Sequence, residues 1–337
     1  MRWAQPVVEQ KRSTRLENRK GIMKRKALIA STSVALGTAT LTVAALFTAM
    51  LTSAAPTTSA GVSPAPAGNG IADVNDTFFP FSEAGLEARE RAMFPAIEPA
   101  VLAKVEAEAR KSFESSGAPV AWRDLAPKLT REECATMSTP ELAEVCFTSS
   151  YLTRRLLAAN SGPVYVLISA KVWYPCYAEL FERKDLWRGA LNAYSGYAAR
   201  LEPKSDPNTV LDGAMGLNRV GDLFQLPNLQ EQLRGKETLF VRAQLDGLKQ
   251  IRSNLDGDMG SAPGSVTQFR LRAPMSLLED CLVFMRRGSP SESAPVIRRI
   301  CKIPLSRTPT TEQVKKYLDA VTPKIEQFLK AAAPVAN

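Results

Sequence analysis

The sequence predicts a mainly α fold with a small antiparallel β component (α+β), carried behind a single N-terminal transmembrane helix or signal peptide. Three observations predict it. Ala27 to Leu51 is an apolar run of 25 residues without a charge; apolar side chains then recur at helical spacing behind recognisable caps; and period-two alternation is confined to short stretches after residue 256.

Residues 1–26 form a basic leader with nine Lys and Arg against two Glu, whereas the whole chain has 43 Lys and Arg against 34 Asp and Glu. The body is therefore almost neutral. A nucleic-acid binder needs its basic residues gathered on a folded surface, so nucleic acid is set aside as a partner. At about 1.5 Å per residue, residues 27–51 are long enough as a helix to cross a bilayer core of roughly 30 Å. The positive leader keeps the N-terminus cytoplasmic and sends the rest of the chain across, into a periplasmic or lumenal space. The length of the run favours an uncleaved anchor over the roughly 7 to 15 residues of a signal core. A start at Met23 would instead leave an ordinary signal peptide, with small residues at Thr52-Ser53-Ala54 or Thr58-Ser59-Ala60 for cleavage, and would give a secreted or periplasmic protein.

Residues 52–77 are mostly Ala, Pro, Ser, Thr and Gly, a composition that buries too little apolar surface to order itself and reads as a flexible linker. The folded part divides into a helical portion, 78–255, and an α+β portion, 256–337. Within the first, Pro99 to Ser115 carries Val101, Leu102, Val105 and Ala109 at helical spacing. Thr130 and Glu133 form a capping box, and Ser138 or Thr139 with Pro140 opens a helix running toward Asn160. Further helices are expected over 175–200, 208–225 and 227–252, the last ending in the turn Asn254 to Asp258.

In the second portion Val266 to Leu271 alternates. Cys281 to Arg286 faces Val296 to Lys302 across a Gly, Pro and Ser-rich loop, which reads as a hairpin with Cys281 opposite Cys301. A helix through Leu277 to Arg287 is the competing reading of the same residues. Thr310 and Gln313 box a terminal helix whose apolar face is Val314, Tyr317, Leu318, Val321, Ile325, Phe328 and Leu329, with Pro323 expected to kink it.

Export puts the five cysteines where thiols oxidise. The expected bridges are Cys134 with Cys146, stapling two helices around the 138–140 turn, and Cys281 with Cys301 across the hairpin. Cys176 is left over as a buried small apolar residue. The segment around it is rich in rings, and Trp173, Tyr174, Tyr177, Phe181 and Trp187 form either part of the core or a candidate binding face.

The chain contains no His, which removes Ser-His and Cys-His nucleophiles, His general bases and His-ligated metals. Asn254, Asp256 and Asp258 space like the start of a calcium loop, but Met259 and Ser265 stand where a Gly and a bidentate Glu belong, so no metal is expected. The acid pairs Glu132-Glu133 and Glu279-Asp280 offer carboxylates without a fold to pair them. No phosphate loop and no serine-nucleophile motif occurs, and no cofactor is expected.

Three functions follow, in order. The first is a non-catalytic extracytoplasmic accessory or scaffold subunit of a membrane-associated complex, partnered by the membrane through its N-terminal helix and by other proteins. The second is an envelope binding module for a glycan, lipid or pigment through the aromatics of 165–197. The third is a His-free, carboxylate-dependent enzyme acting on glycans.

Overall fold

In a computed structural model of the chain, residues 77–159, 162–257 and 264–332 are described. The leader, the apolar run and all of the expected linker except its last residue, Thr77, lie outside these residues. The described residues belong to one compact unit and are overwhelmingly helical. No helix among them is long and apolar enough to cross a membrane.

The elements are β1 (Thr77–Phe78), α1 (Glu83–Met93), α2 (Pro99–Ser116), α3 (Val120–Arg123), α4 (Arg131–Thr136), α5 (Thr139–Thr148), α6 (Tyr151–Ala158), α7 (Pro163–Trp173) and α8 (Pro175–Glu182). They continue with α9 (Leu186–Ala199), α10 (Pro207–Leu223), α11 (Pro227–Leu233), α12 (Glu237–Asn254), α13 (Gly264–Gly288), α14 (Pro290–Cys301), β2 (Leu305–Ser306) and α15 (Thr311–Ala331). The two strands pair antiparallel, Thr77 with Ser306 and Phe78 with Leu305, and fasten the start of the domain to its last helix.

Four helices make the centre. α9 packs on α10, α10 on α13, α13 on α12 and α12 back on α9, closing a ring around which the others are arranged. α5 covers α9, α15 covers α12, α1 lies on α13, and α2 packs on α7. Where α9 meets α10, a side chain at Gly216 would occupy the same space as the Tyr197 ring, so the absence of a Cβ permits the contact.

Local chemistry explains the helix starts. Thr130 and Ser138 cap α4 and α5 in full capping boxes with Glu133 and Glu141, and Thr310 with Gln313 does the same for α15. Several expected long helices are broken. The helix expected after Pro140 ends at Thr148 because Ser150 takes a left-handed conformation (φ 64°), its hydroxyl bonded to the Asp212 carboxylate on α10. The span 175–200 turns at Arg183–Asp185, and 227–252 turns at Gly235, whose φ of 72° suits glycine.

The hairpin is corrected outright. Residues 264–288 are one helix and 290–301 another, so neither Val266 to Leu271 nor Cys281 to Arg286 is a strand. The reason is burial on all sides: Leu277, Leu278, Cys281, Leu282, Val283, Phe284 and Met285 are each 0% exposed, because α13 runs through the middle of the domain. A helix enclosed on every face loses its 3.6-residue stripe and looks like a continuous apolar strand. α15 continues through Pro323 without ending there.

Candidate functional site

The five cysteines carry free thiols, so neither Cys134 with Cys146 nor Cys281 with Cys301 is bridged. For the second pair the cause is the loss of the hairpin: Cys281 is enclosed within α13, and Cys301 lies at the end of α14. For the first, the turn is held by another residue. Arg183 donates from Nη1 to the Met137 carbonyl (2.7 Å) and from Nη2 to the Cys134 carbonyl (2.8 Å), joining α4 to α8 across the 138–140 turn. Thr139 donates to Asp185 nearby at 2.5 Å. Cys146 and Cys176 hydrogen-bond to one another in the core, where burial pushes the Cys146 thiol far above its ordinary value.

The aromatic segment is core. Trp173, Tyr174, Tyr177 and Phe181 are all buried, and Trp187 is half-buried beneath the Lys236 ammonium. Tyr177 stacks at a tilt on Phe181 with centroids 5.7 Å apart, and its hydroxyl donates to the Cys146 carbonyl at 2.9 Å. The Trp173 indole N–H donates to the Ala109 carbonyl of α2 at 3.2 Å. The polar tips of Trp173 and Tyr177 are spent on the backbone, whereas the buried Tyr174 hydroxyl has no hydrogen-bond partner.

One member of each acid pair is used by the fold, while Glu132 is exposed. Glu133 serves as a cap. Asp280 is fully buried and holds Arg89 of α1 in a two-bond contact, Nε at 3.0 Å and Nη2 at 2.8 Å, while Tyr194 donates to its other oxygen at 3.3 Å. Burial pushes the Asp280 carboxyl up, against the pull of Arg89. Asp222, half a network away on α10, is raised by burial as well. Asp280 ties α1, α9 and α13 together, and Asp222 lies 3.6 Å from Arg219 on its own helix. Asp256 of the calcium-like turn is occupied by Arg252 (2.7 Å) and Lys315 (3.2 Å), and Asp258 lies outside the described residues. No group of three or more acidic or thiol side chains among the described residues is arranged to hold a metal ion.

What the surface does offer is a charged cleft of about 530 Å³ where α1, α12, α13 and α14 converge. Its floor is Ala294 and Ile297 of α14, and its walls carry Glu83, Glu90, Glu237, Arg286, Arg287 and Arg298. Most of these charges face one another. Arg298 lies 3.2 Å from Glu83, Arg286 lies 3.5 Å from Glu87 and 3.6 Å from Glu90, and Arg287 lies 3.5 Å from Glu90. The Arg287 guanidinium also roofs the Phe94 ring at 4.0 Å. Phe94 in turn meets Phe224 and Phe284, with Phe240 stacked on Phe284 at 4.8 Å, so the cleft stands on an aromatic cluster drawn from four segments.

Among the groups lining the cleft, the buried Nε of Arg286 has no hydrogen-bond partner, its Glu90 neighbour lying 3.6 Å away. The Ser293 hydroxyl is completely buried and has no hydrogen-bond partner. Glu237, the first residue of α12, has no cationic partner among the described residues. A second groove, of about 560 Å³ between α5, α9 and α12, is lined by small and neutral groups around Gly196 with Glu144 and Arg200 at its rim.

No known protein family matches the chain, and no curated protein or solved structure is similar to it.

Proposed function

We propose that the chain is a non-catalytic accessory or scaffold subunit whose helical domain is held on the extracytoplasmic side of a membrane by residues 27–51 and docks on a larger membrane-associated assembly. The observation that carries this reading is the charged cleft between α1, α12, α13 and α14. It is open, lined by both signs of charge and built on a rigid aromatic base. Alternating charge of this kind sets partner choice and orientation at the polar part of a protein interface. The residues that would have served chemistry are spent elsewhere: Asp280 and Asp222 within the interior network, and the rings of 173–181 within the core.

The test is intact-mass and co-purification analysis of the native protein extracted in mild detergent. A full-length mass with stoichiometric partners is the expected outcome. A mass beginning near Ala55 or Gly61 with no partner would make the protein a free secreted domain and overturn the reading.

A further inference from the structure

The β ribbon lies at the point where the chain enters the domain, and its two faces differ. Phe78 is half-buried and its partner Leu305 is buried, whereas Thr77 and Pro304 are exposed. Phe79, one residue past the ladder, holds its ring 60% exposed, although the other two rings of the entry segment are drawn inward. Cations surround this outer face. Arg307 follows β2 directly, Lys302 precedes it by three residues at the end of α14, and Arg299 lies close to one helical turn before Lys302. All three are exposed.

The chain supplies little to balance them. Residues 293–311 contain Arg298, Arg299, Lys302 and Arg307 and no acid, and residues 77–82 carry no charge. Arg298 is taken by Glu83 at 3.2 Å, and Glu312, the next acid along the chain, is taken by Lys315 at 2.8 Å. Arg299, Lys302 and Arg307 form no ion pair among the described residues. An exposed ring flanked by unpaired cations suits a surface of anionic headgroups, where the ring enters the boundary with the acyl chains and the cations meet the phosphates. Position selects that partner over an acidic polypeptide. Residues 52–76 separate the ribbon from the apolar run, and 25 residues of their composition span about 25–30 Å as a coil. The face around Thr77 is thus the one held nearest the bilayer.

We propose that the outer face of the β ribbon, formed by Phe79, Arg299, Lys302 and Arg307, rests on the membrane surface and binds anionic phospholipid headgroups. The inference rests on the reading of residues 27–51 as a retained anchor and adds a second membrane contact to it. One ring and three cations give only marginal attachment to a free protein. On a tethered domain the same contact becomes intramolecular, and the tether's effective concentration makes a weak surface sufficient. The domain is then laid down on the bilayer by its entry face instead of tumbling at the end of its linker.

The experiment places the full-length chain in lipid nanodiscs of phosphatidylcholine alone or mixed with phosphatidylglycerol, and follows acetylation of individual lysines by mass spectrometry. Lys302 is expected to react at least threefold more slowly in the anionic discs, and the difference should vanish in high salt. Lys111, exposed on α2, should react equally in both. Arg299→Gln with Arg307→Gln should abolish most of the protection of Lys302 and leave the melting temperature unchanged, because neither side chain has an ion-pair partner to lose. Phe79→Ser should reduce the protection as well. Equal rates for Lys302 in the two discs overturn the proposal while leaving the anchored reading intact. Protection of Lys302 only in a complex with a co-purifying protein also overturns it, and assigns the face to an acidic polypeptide. A native chain whose mass lacks residues 27–51 overturns the anchored reading and this face with it.

Discussion

The guanidinium of Arg89 lies 2.8 Å from the carboxylate of Asp280, a side chain with no exposure to solvent, although 191 residues separate them in the chain. The contact fixes α1 onto the middle of α13. Removing one member leaves the other charged and uncompensated in the interior, so Arg89→Met or Asp280→Ala should each cost about 3–5 kcal/mol in urea denaturation. The double variant Arg89→Met, Asp280→Leu should recover most of the loss, since both charges then disappear together. Equal stability of the single variants and the parent would mean that the pair does not hold α1.

Arg183 performs the stapling that a disulfide would otherwise provide. Arg183→Ala removes the donor to the Met137 carbonyl and leaves the Cys134 carbonyl only the Met137 N–H, and is expected to cost about 1–3 kcal/mol. Arg183→Lys should recover little, because a single ammonium cannot reach two carbonyls as a fork does. The corresponding readout for the thiols is mass after unfolding without reductant in the presence of an alkylating agent. Five adducts per chain are expected, matching five free cysteines.

Two glycines should respond in opposite senses. Gly216→Ala drives a methyl group into the Tyr197 ring, whose hydroxyl is itself fixed to Thr153 at 3.0 Å, and overpacking of this kind costs about 1–3 kcal/mol. Gly196, on the exposed face of α9, has nothing within 4 Å of an added Cβ, and Gly196→Ala should stabilise the domain by about 0.5–1 kcal/mol. Thermal melts of both variants against the parent decide it.

Acid should selectively weaken the start of α10. The Asp206 carboxylate accepts from the backbone N–H groups of Asn208 and Thr209 at 3.0 and 3.1 Å and from the Thr209 hydroxyl, which holds it below the usual carboxylate range. A depressed native value means that the contribution is complete above the unfolded value of about 3.9 and is lost as the pH falls through the native one. Asp206→Ala is therefore expected to cost about 1 kcal/mol near neutrality, with that gap closing as the pH falls through the depressed native value. A gap independent of pH would contradict the capping role.

The sequence made some of this legible and hid the rest for definable reasons. The boxes at Thr130 and Thr310 depend on residues three apart and the structure forms both, and between Ser138 and Thr139 it makes Ser138 the cap, in a box with Glu141. The breaks at Ser150 and Arg183 depend on partners far along the chain, Asp212 and the α4 carbonyls, and leave no local trace. α13 was ambiguous between strand and helix because full burial erases the periodicity that distinguishes them. α1 carries five charged residues among its eleven and buries only Leu86 and Met93, so it presents no apolar stripe. The cleft was not visible at all. Its charged walls come from residues far apart in the sequence, and the reversal between α13 and α14 at Ser289 sets Arg298 against Glu83.

The pairing of β1 with β2 also constrains when the domain can be finished. Thr77 and Phe78 leave the ribosome early, yet the residues that complete their ladder, Leu305 and Ser306, are made more than two hundred residues later. α1 waits similarly for Asp280, and Glu83 for Arg298. The opening of the domain therefore has no native partner during most of synthesis. Closure belongs to the moments after the last helix emerges, when both ends of the fold meet for the first time.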